Sequence, residues 1–262
     1  MLALAMRAGV DVVDTAPAYG TSEEVLGLCM RGDDFYRIVT KTPHFNRAKI
    51  VQSDAERLET TLHESLQHLG RDAIHGLLLH NCEDCLAEGG ERLLERMAQL
   101  VQRGLVQKFG VSAYSPEQVE RVLDRYPITL VQFPFNVLDQ RFERSGTLTR
   151  LKLRGVEVHS RSVFLQGALL LEPDDLPPGL SKHQTVFQRF HASAGAQRTT
   201  KLRVALSFAL AQPMIDRVVV GACNSAQLGE ILAAASNPIP SWGELRDLAS
   251  EDESLIHPGT WS

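Results

Sequence analysis

Short apolar runs and longer amphipathic stretches alternate along the whole chain. Runs rich in Val, Ile and Leu predict seven strands, at residues 10–14, 37–41, 76–80, 106–112, 130–133, 156–160 and 218–221. Apolar residues at helical spacing predict helices between them, at residues 22–31, 53–69, 91–103, 115–124, 146–154, 199–211 and 225–235. Such alternation is typical of a parallel sheet built from βα units.

The sequence also predicts a cap at the start of one helix, and two segments lack a regular pattern of apolar residues. Ser53, followed three residues later by Glu56, predicts a capping box. Residues 172–195 open with prolines and predict a long irregular lid or binding loop, and residues 236–262 predict a C-terminal surface extension. None of these requires a domain boundary, so residues 1–262 predict a single domain, of a length that suits one α/β barrel.

Composition and charge are those of an ordinary globular chain. Hydrophobic residues make up 44% and charged residues 23%, and the net charge is −5 with Lys and Arg scattered. Since no basic stripe is present, we expect no nucleic-acid partner. No apolar run approaches the roughly 20 residues of a membrane helix, and residues 1–7 are too short for a signal peptide, which predicts no membrane partner and a cytoplasmic location.

The cysteines give little indication of a metal. Cys82 and Cys85 form a C-x-x-C pair, whereas Cys29 and Cys223 are isolated. Since a structural zinc site needs four ligands and no second pair exists, we expect no metal.

Polar side chains stand where the first three predicted strands end. Asp14, Lys41 and His80 close these strands, and Tyr19 follows in the first loop. In a parallel barrel all strand ends share one rim. A phenol, with a reference pKa of about 10, exchanges protons poorly at neutral pH unless an adjacent ammonium stabilises the phenolate. A carboxylate would keep that ammonium charged, and an imidazole could orient a carbonyl oxygen or relay the proton, which predicts a proton-transfer site.

The sequence around these residues resembles the aldo-keto reductase family. Residues 14–27, DTAPAYGTSEEVLG, look like the family signature, and four segments follow in the family's order: IVTK at 38–41, LLLH at 77–80, GLVQKFGVS at 104–112 and QFPFN at 132–136. The resemblance covers residues 2–235 and implies a (β/α)8 barrel that reduces a small carbonyl substrate with NADPH. It also implies that Tyr19 is the general acid, Lys41 and Asp14 its tuning pair, and His80 the carbonyl-orienting residue.

The same resemblance implies a set of cofactor contacts. Ser112 and Gln132 match positions that hydrogen-bond the nicotinamide carboxamide. The segment after the last strand matches the site of the adenosine phosphate end, at a helix N-terminus whose N–H groups favour anions. The complete predicted set is Ser112, Gln132, Arg161, Gly221, Ala222, Asn224, Gln227 and Glu230.

Three departures from the family pattern bear on the cofactor. Ala113 stands where many members have Asn, and Arg161 stands where many stack an aromatic ring on the nicotinamide. Residues 221–230 contain no Lys or Arg to bind a 2′-phosphate. The family implies NADPH, and the missing basic residues predict weak discrimination against NADH.

Several alternatives stay open. Ser112 and Gln132 could instead simply be polar residues at the barrel rim, and Phe45, Phe135 and Phe164 either line an apolar substrate pocket or pack in the core. The protein as a whole could be a catalytically weak nucleotide-binding or regulatory barrel, against which the four intact catalytic-type residues argue. The sequence does not set an oligomeric state.

The first residues predict an incomplete barrel. Residues 1–9 look like the second half of a helix that leads into the strand that the family numbers second. The seven predicted strands would then lack the first strand and most of its helix. Since an open barrel exposes two edges of unpaired backbone groups, we expect either a start that lies too late or a poorly folding product.

Overall fold

The computed structural model describes residues 1–32, 34–239 and 243–261. Its contacts divide the chain into two compact units. The amino-terminal unit comprises Leu2–Gln132 with Leu153–Glu157, and the carboxyl-terminal unit comprises Met1, Phe133–Lys152 and Val158–Ser262.

The strands of the amino-terminal unit are parallel, and each pairs with the next in the chain. They are β1 (Val12–Asp14), β2 (Arg37–Lys41), β3 (Ile74–Leu79), β4 (Val106–Ser112) and the first residues of β5 (Leu130–Pro134). The register places Asp14 beside Val39 and Ser112 beside Gln132. Because all these strands run the same way, their carboxyl ends lie at one edge.

Helices alternate with these strands, and one of them, the short helix at Glu83–Leu86, was not predicted from the sequence. They are α1 (Leu2–Arg7), α2 (Ser22–Cys29), α3 (Gln52–Leu69), α4 (Glu83–Leu86), α5 (Glu91–Gln102) and α6 (Pro116–Leu123). On α3 the four leucines at helical spacing are buried, as expected for a helix that covers a sheet: Leu58, Leu62, Leu66 and Leu69. Gly70 then adopts the left-handed conformation (φ 62°) that ends the helix.

The predicted capping box of α3 is wrong. The helix begins at Gln52, one residue before the predicted cap Ser53. Asp54 at the third helical position accepts a hydrogen bond from the backbone N–H of Val51 (2.9 Å). A carboxylate one turn into the helix thus satisfies the preceding backbone donor, which makes a hydroxyl at position 53 unnecessary.

The carboxyl-terminal unit contains the end of β5, most of β6 (Glu157–Arg161), and β7 (Arg217–Val218), which pairs with β6 in parallel. Its α-helices are α7 (Arg141–Arg144), α8 (Thr147–Leu153), α9 (Gln184–Ala196), α10 (Lys201–Leu210), α11 (Ser225–Ala235), α12 (Gly243–Arg246) and α13 (Glu253–Ile256). Short 3₁₀ helices lie at Leu165–Leu170, Pro173–Asp175, Pro178–His183 and Pro258–Thr260.

The structure corrects the prediction of an irregular loop at residues 172–195. After two 3₁₀ turns, this segment forms most of the 13-residue helix α9. Phe187, Phe190 and Ala194 are spaced three and four residues apart and are buried, so α9 has an apolar face that the prolines before it obscured.

The tail is not simply a surface extension in the part that the structure describes. Leu245, Leu248, Leu255 and Ile256 are buried, and the Leu245 carbonyl accepts from Gln140 Nε2 at 3.0 Å. Pro240 and Trp242, which the sequence also assigns to the extension, lie outside the described residues.

In the described residues, seven parallel strands follow one another in the order of the chain, with helices after them. This arrangement confirms the predicted fold class, since these are seven of the eight strands that make up a (β/α)8 barrel. The helices in the described ranges include none that is both long and apolar enough to cross a membrane.

Candidate active site

A buried ion pair lies where the first two strands end. Lys41 Nζ is 2.5 Å from Asp14 Oδ1 and donates also to the Thr15 carbonyl at 2.9 Å. Only 2% of Lys41 is exposed, whereas the Asp14 side chain keeps 11% of its surface in solvent. Burying an ammonium is costly unless it is paired and hydrogen-bonded, and this one is both.

Gln132 holds the other oxygen of the same carboxylate. Its Nε2 donates to Asp14 Oδ2 at 2.8 Å, from the middle of β5. The sequence resemblance predicts that Gln132 contacts a nicotinamide, and it did not suggest a partner 118 residues earlier. The bond depends on the sheet register, which brings residues distant in the chain to one edge.

Tyr19 lies in the turn after β1. Its backbone N–H donates to the Ala16 carbonyl at 3.0 Å, and the turn leads through Gly20, at φ 62°, into α2. Lys41 Nζ lies 5.1 Å from the centre of the Tyr19 ring, within the range of a cation–π contact. Tyr19 as a residue is 49% exposed, so a ligand can reach it.

Two hydrogen bonds hold the segment that follows Tyr19. Glu23 in the first turn of α2 is buried, and its Oε1 accepts from Thr40 Oγ1 at 2.6 Å. The Thr15 hydroxyl donates to the Ser22 hydroxyl at 3.0 Å. The Glu23 bond ties the start of α2 to β2 beside Lys41, and the Thr15 bond joins the two sides of the loop that carries Tyr19.

His80 directly follows β3 and meets the tyrosine edge-on, with 5.8 Å between ring centres and an angle of 85°. His44 stacks on its face at 4.1 Å and 30°. The amino-terminal unit therefore brings all four predicted catalytic residues together: Asp14, Tyr19, Lys41 and His80. His44 was missed, because a histidine three positions after Lys41 carries no signal until the two loops are placed.

Asp84 fixes the loop that carries His44. This buried carboxylate accepts from the backbone N–H groups of Phe45 (3.1 Å) and Asn46 (2.9 Å). Asn46 adopts a left-handed conformation (φ 51°) and accepts from Asn81 Nδ2 at 3.0 Å. The loops after β2 and β3 are thus joined by direct hydrogen bonds.

The C-x-x-C pair lies in this joined region. Cys82 and Cys85 are both buried, and Cys85 Sγ donates to the Cys82 carbonyl at 3.1 Å. The neighbouring Cys85 thiol and burial raise the pKa of Cys82 far above its ordinary value, so this thiol stays protonated. A buried, protonated thiol is unreactive, which favours a packing role.

Ser112 is the last residue of β4 and faces Gln132 across the ladder, where Ala113 N–H donates to the Gln132 carbonyl at 2.9 Å. Ser112 and Gln132 are both buried. The two predicted carboxamide contacts are therefore neighbours at the strand ends.

A cavity of about 640 Å³ lies within the carboxyl-terminal unit. Gly221, Ala222, Gln227 and Glu230, which the family resemblance assigns to the cofactor, are among its lining residues. Asn224 and Arg161 are not among its lining residues in the described part of the chain. Asn224 instead caps α11, where its side chain accepts from Gln227 N–H at 2.9 Å.

A second part of the lining was not predicted from the sequence, apart from Phe164, whose assignment stayed open. It is formed by the segment after β6 and includes Ser162, Val163, Phe164, Gln166 and Gly167. Ser162, Leu165 and Gln166 have φ values of 60°, 48° and 54°. Such strained backbone clusters at ligand sites, but only Gly167 could have indicated it in the sequence.

Of the three phenylalanines with an open assignment, Phe164 lines this cavity, whereas Phe45 and Phe135 are buried. Phe135 stacks on Phe208 with 5.5 Å between ring centres, which makes it a core residue.

The cavity has the size of a small-ligand site and suits one end of a nucleotide. The cavity volume lies within the roughly 300–1,000 Å³ of small-ligand sites. One wall contains the start of the 11-residue helix α11, whose first N–H groups favour an anion. No Lys or Arg is among the described residues that line it, whereas Glu230 adds a carboxylate.

The parallel βα chain belongs to the (β/α)8 barrel class. Residues 1–242 match the model of the Aldo/keto reductase family, and the chain belongs to this family of NAD(P)H-dependent oxidoreductases. It is 27% identical over 269 residues to L-galactose dehydrogenase of Arabidopsis thaliana, covering 97% of this chain and 82% of that protein. It is 25% identical to L-glyceraldehyde 3-phosphate reductase of Escherichia coli K12, covering 88% and 75%.

Solved structures agree on the fold. The holo form of an aldo-keto reductase from Bacillus halodurans superposes with a TM-score of 0.77 at 20% identity, covering 98% of this chain and 88% of that one. Glycerol dehydrogenase from Gluconobacter oxydans gives 0.73 at 19% identity, covering 98% and 85%.

Proposed function

We propose that this protein reduces a small aldehyde or ketone, or oxidises the corresponding alcohol, with Tyr19 as the general acid and base. The single observation that carries the proposal is the buried Lys41 ammonium, held by Asp14 at 2.5 Å and placed 5.1 Å from the centre of the half-exposed Tyr19 ring. A fixed positive charge beside an accessible phenol stabilises the negative charge that develops on its oxygen during proton transfer.

Each residue has a distinct task in the reaction. Tyr19 gives its proton to the carbonyl oxygen as that oxygen gains negative charge, and takes it back in the oxidative direction. Lys41 stabilises the phenolate, and Asp14 keeps Lys41 charged and in place. His80, edge-on to Tyr19, donates a hydrogen bond that orients the carbonyl oxygen.

A bound nicotinamide nucleotide supplies the hydride. We propose that Ser112 and Gln132 orient its carboxamide and that Gly221, Ala222, Gln227 and Glu230 bind its adenosine end, with Asn224 acting through the cap of α11. Arg161 is assigned to the nicotinamide side, where its Nη1 also donates to Ser162 Oγ at 3.3 Å. NADPH is the family's cofactor, and the lack of a basic lining residue in the described cavity favours acceptance of NADH as well.

Tyr19→Phe tests the proposal. Turnover of NADPH with a panel of aldehydes and aldoses, including glyceraldehyde 3-phosphate, should fall about 10²–10⁴-fold, the contribution of general acid catalysis. The dissociation constant of NADPH should stay unchanged. Tyr126→Phe is the matched control, since Tyr126 lies beyond α6 and away from the strand ends.

Two outcomes would contradict the proposal. Equal turnover in Tyr19→Phe and the wild type would exclude Tyr19 as the acid. NADPH binding without turnover of any carbonyl compound would favour a nucleotide-binding or regulatory barrel.

A further inference from the structure

The segment that lines the cavity after β6 needs external support. Ser162, Leu165 and Gln166 all adopt left-handed backbone conformations, which residues other than glycine keep only where their surroundings hold them. Within the segment, Leu165 N–H donates to the Ser162 carbonyl and Gly167 N–H to the Phe164 carbonyl, both at 2.9 Å. These two short-range bonds close the turns but do not attach them to the rest of the unit.

Asn136 makes that attachment. It follows the end of β5, is completely buried, and its Nδ2 donates to the Ser162 carbonyl at 3.0 Å. The same carbonyl accepts from Leu165, so it is held between two donors. One position earlier, Phe135 N–H donates to the Arg161 carbonyl at 3.0 Å. The side-chain hydrogen bond of Asn136 thus continues the pairing of β5 with β6 by one position, to Ser162, the first residue with a left-handed backbone.

The other end of the amide is equally fixed. Asn136 Oδ1 accepts from Leu138 N–H at 2.9 Å and from Asp139 N–H at 3.0 Å. The side chain therefore cannot rotate without breaking a buried turn. The Asn136 amide therefore joins this rigid turn to the wall of the cavity.

We infer that Asn136 is a positioning residue for the nucleotide, because it holds the Ser162–Gly167 wall in its binding shape before any ligand arrives. A preformed wall avoids the entropy cost of ordering a loop on binding, so its loss should appear in the affinity for the nucleotide. The inference rests on the proposed function, in which this cavity takes the adenosine end of the cofactor.

Asn136→Asp isolates the bond to the wall. The new carboxylate can still accept from the N–H groups of Leu138 and Asp139. It can no longer donate to the Ser162 carbonyl, and its second oxygen would repel that carbonyl oxygen. We expect the dissociation constants of NADPH and NADH, measured by titration calorimetry, to rise about tenfold. The KM of the nucleotide should rise in parallel, whereas kcat at saturation should change little.

Gln140→Glu is the matched control. Gln140 is also a buried amide near the same turn, and its Nε2 donates to the Val137 carbonyl at 2.8 Å and the Leu245 carbonyl at 3.0 Å, not to the wall. The Gln140→Glu variant should have a lower melting temperature, as Asn136→Asp should, but an unchanged affinity for the nucleotide. An equal loss of affinity in both variants would show general destabilisation and overturn the inference.

Amide hydrogen exchange of the nucleotide-free wild type covers the case in which Asn136→Asp does not fold. The Leu165 and Gly167 amides should be protected, and exchange at the rate of an unstructured peptide would overturn the inference. Failure of the wild type to bind any nicotinamide nucleotide would overturn the proposed function and this inference with it. Unchanged affinity in Asn136→Asp would overturn the inference alone.

Discussion

Gln132 Nε2 donates to Asp14 Oδ2 at 2.8 Å and thereby links the end of β1 to β5. Because Lys41 occupies Asp14 Oδ1, both oxygens of the carboxylate are engaged. The amide fixes the direction of the carboxylate, and the carboxylate fixes the ammonium beside Tyr19. Gln132 can therefore act on the chemistry through Asp14, independently of any contact with a cofactor.

Gln132→Leu should lower kcat about tenfold through this relay, because Asp14 loses one charge-assisted hydrogen bond and gains freedom to move. Gln107→Leu, at the opposite end of β4, is the control. A change confined to the KM of the nucleotide would instead assign Gln132 to cofactor binding alone.

Lys41→Met should both destabilise the protein and abolish most activity. It leaves a largely buried carboxylate without its ion partner, a change that costs about 3 kcal/mol or more. In the double variant Asp14→Asn/Lys41→Met no such charge is left, so much of the stability should return while activity stays low. Urea unfolding and kcat separate the two effects. Equal stability losses in the single and double variants would contradict the view that the unpaired carboxylate is the cause.

The sequence allowed the strands, most helices and the four clustered polar residues to be predicted, because these depend on local periodicity and on strand ends sharing an edge. The hydrogen bond between Asp14 and Gln132 could not be predicted from the sequence, since the register of the strands is set by the whole sheet. His44 was also missed, because its position depends on two loops held by Asp84.

The prediction for α9 failed for a related reason. Prolines at positions 173, 177 and 178 strongly favour a loop assignment. This signal outweighed the weaker helical periodicity of Phe187, Phe190 and Ala194. Tertiary burial of that face decides the outcome, and burial is not visible in a short window of sequence.

Glu59 should make stability depend on pH. It accepts hydrogen bonds from Arg96 and Arg103, joining α3 to α5. Arg103, supported by Arg96, lowers the pKa of Glu59 below its ordinary value of 4.5, although burial opposes the shift. A carboxyl group whose pKa is lower in the folded state contributes stability above its unfolded pKa and loses that contribution as the pH falls through the folded value.

Glu59→Gln should therefore be less stable than the wild type at neutral pH, and the difference in free energy of unfolding should shrink as the pH falls below 4.5. Urea unfolding at a series of pH values measures this difference. The control is Glu88→Gln, whose partner Lys49 is highly exposed, so that solvent screening should make the effect small at every pH. A difference for Glu59→Gln that grows on acidification would contradict the assigned direction.

Glu230 should set the preference between the two nucleotides. It places a carboxylate in the wall of the cavity, and no Lys or Arg is among the described lining residues, so a 2′-phosphate would meet repulsion without a compensating cation. Glu230→Gln should strengthen NADPH binding relative to NADH by about two- to fivefold, in line with the modest energy of a solvent-screened charge pair. The quantity to measure is the ratio of the two dissociation constants, because loss of a contact common to both nucleotides cancels in it. Glu244→Gln, on the exposed start of α12, should leave the ratio unchanged.

A wild type that already prefers NADPH more than a hundredfold would show that a basic residue elsewhere binds the phosphate, with Arg161 as the first candidate. Arg203 is the second, although its Nε now donates to the Asn237 carbonyl at 2.6 Å and would have to exchange that bond for the phosphate.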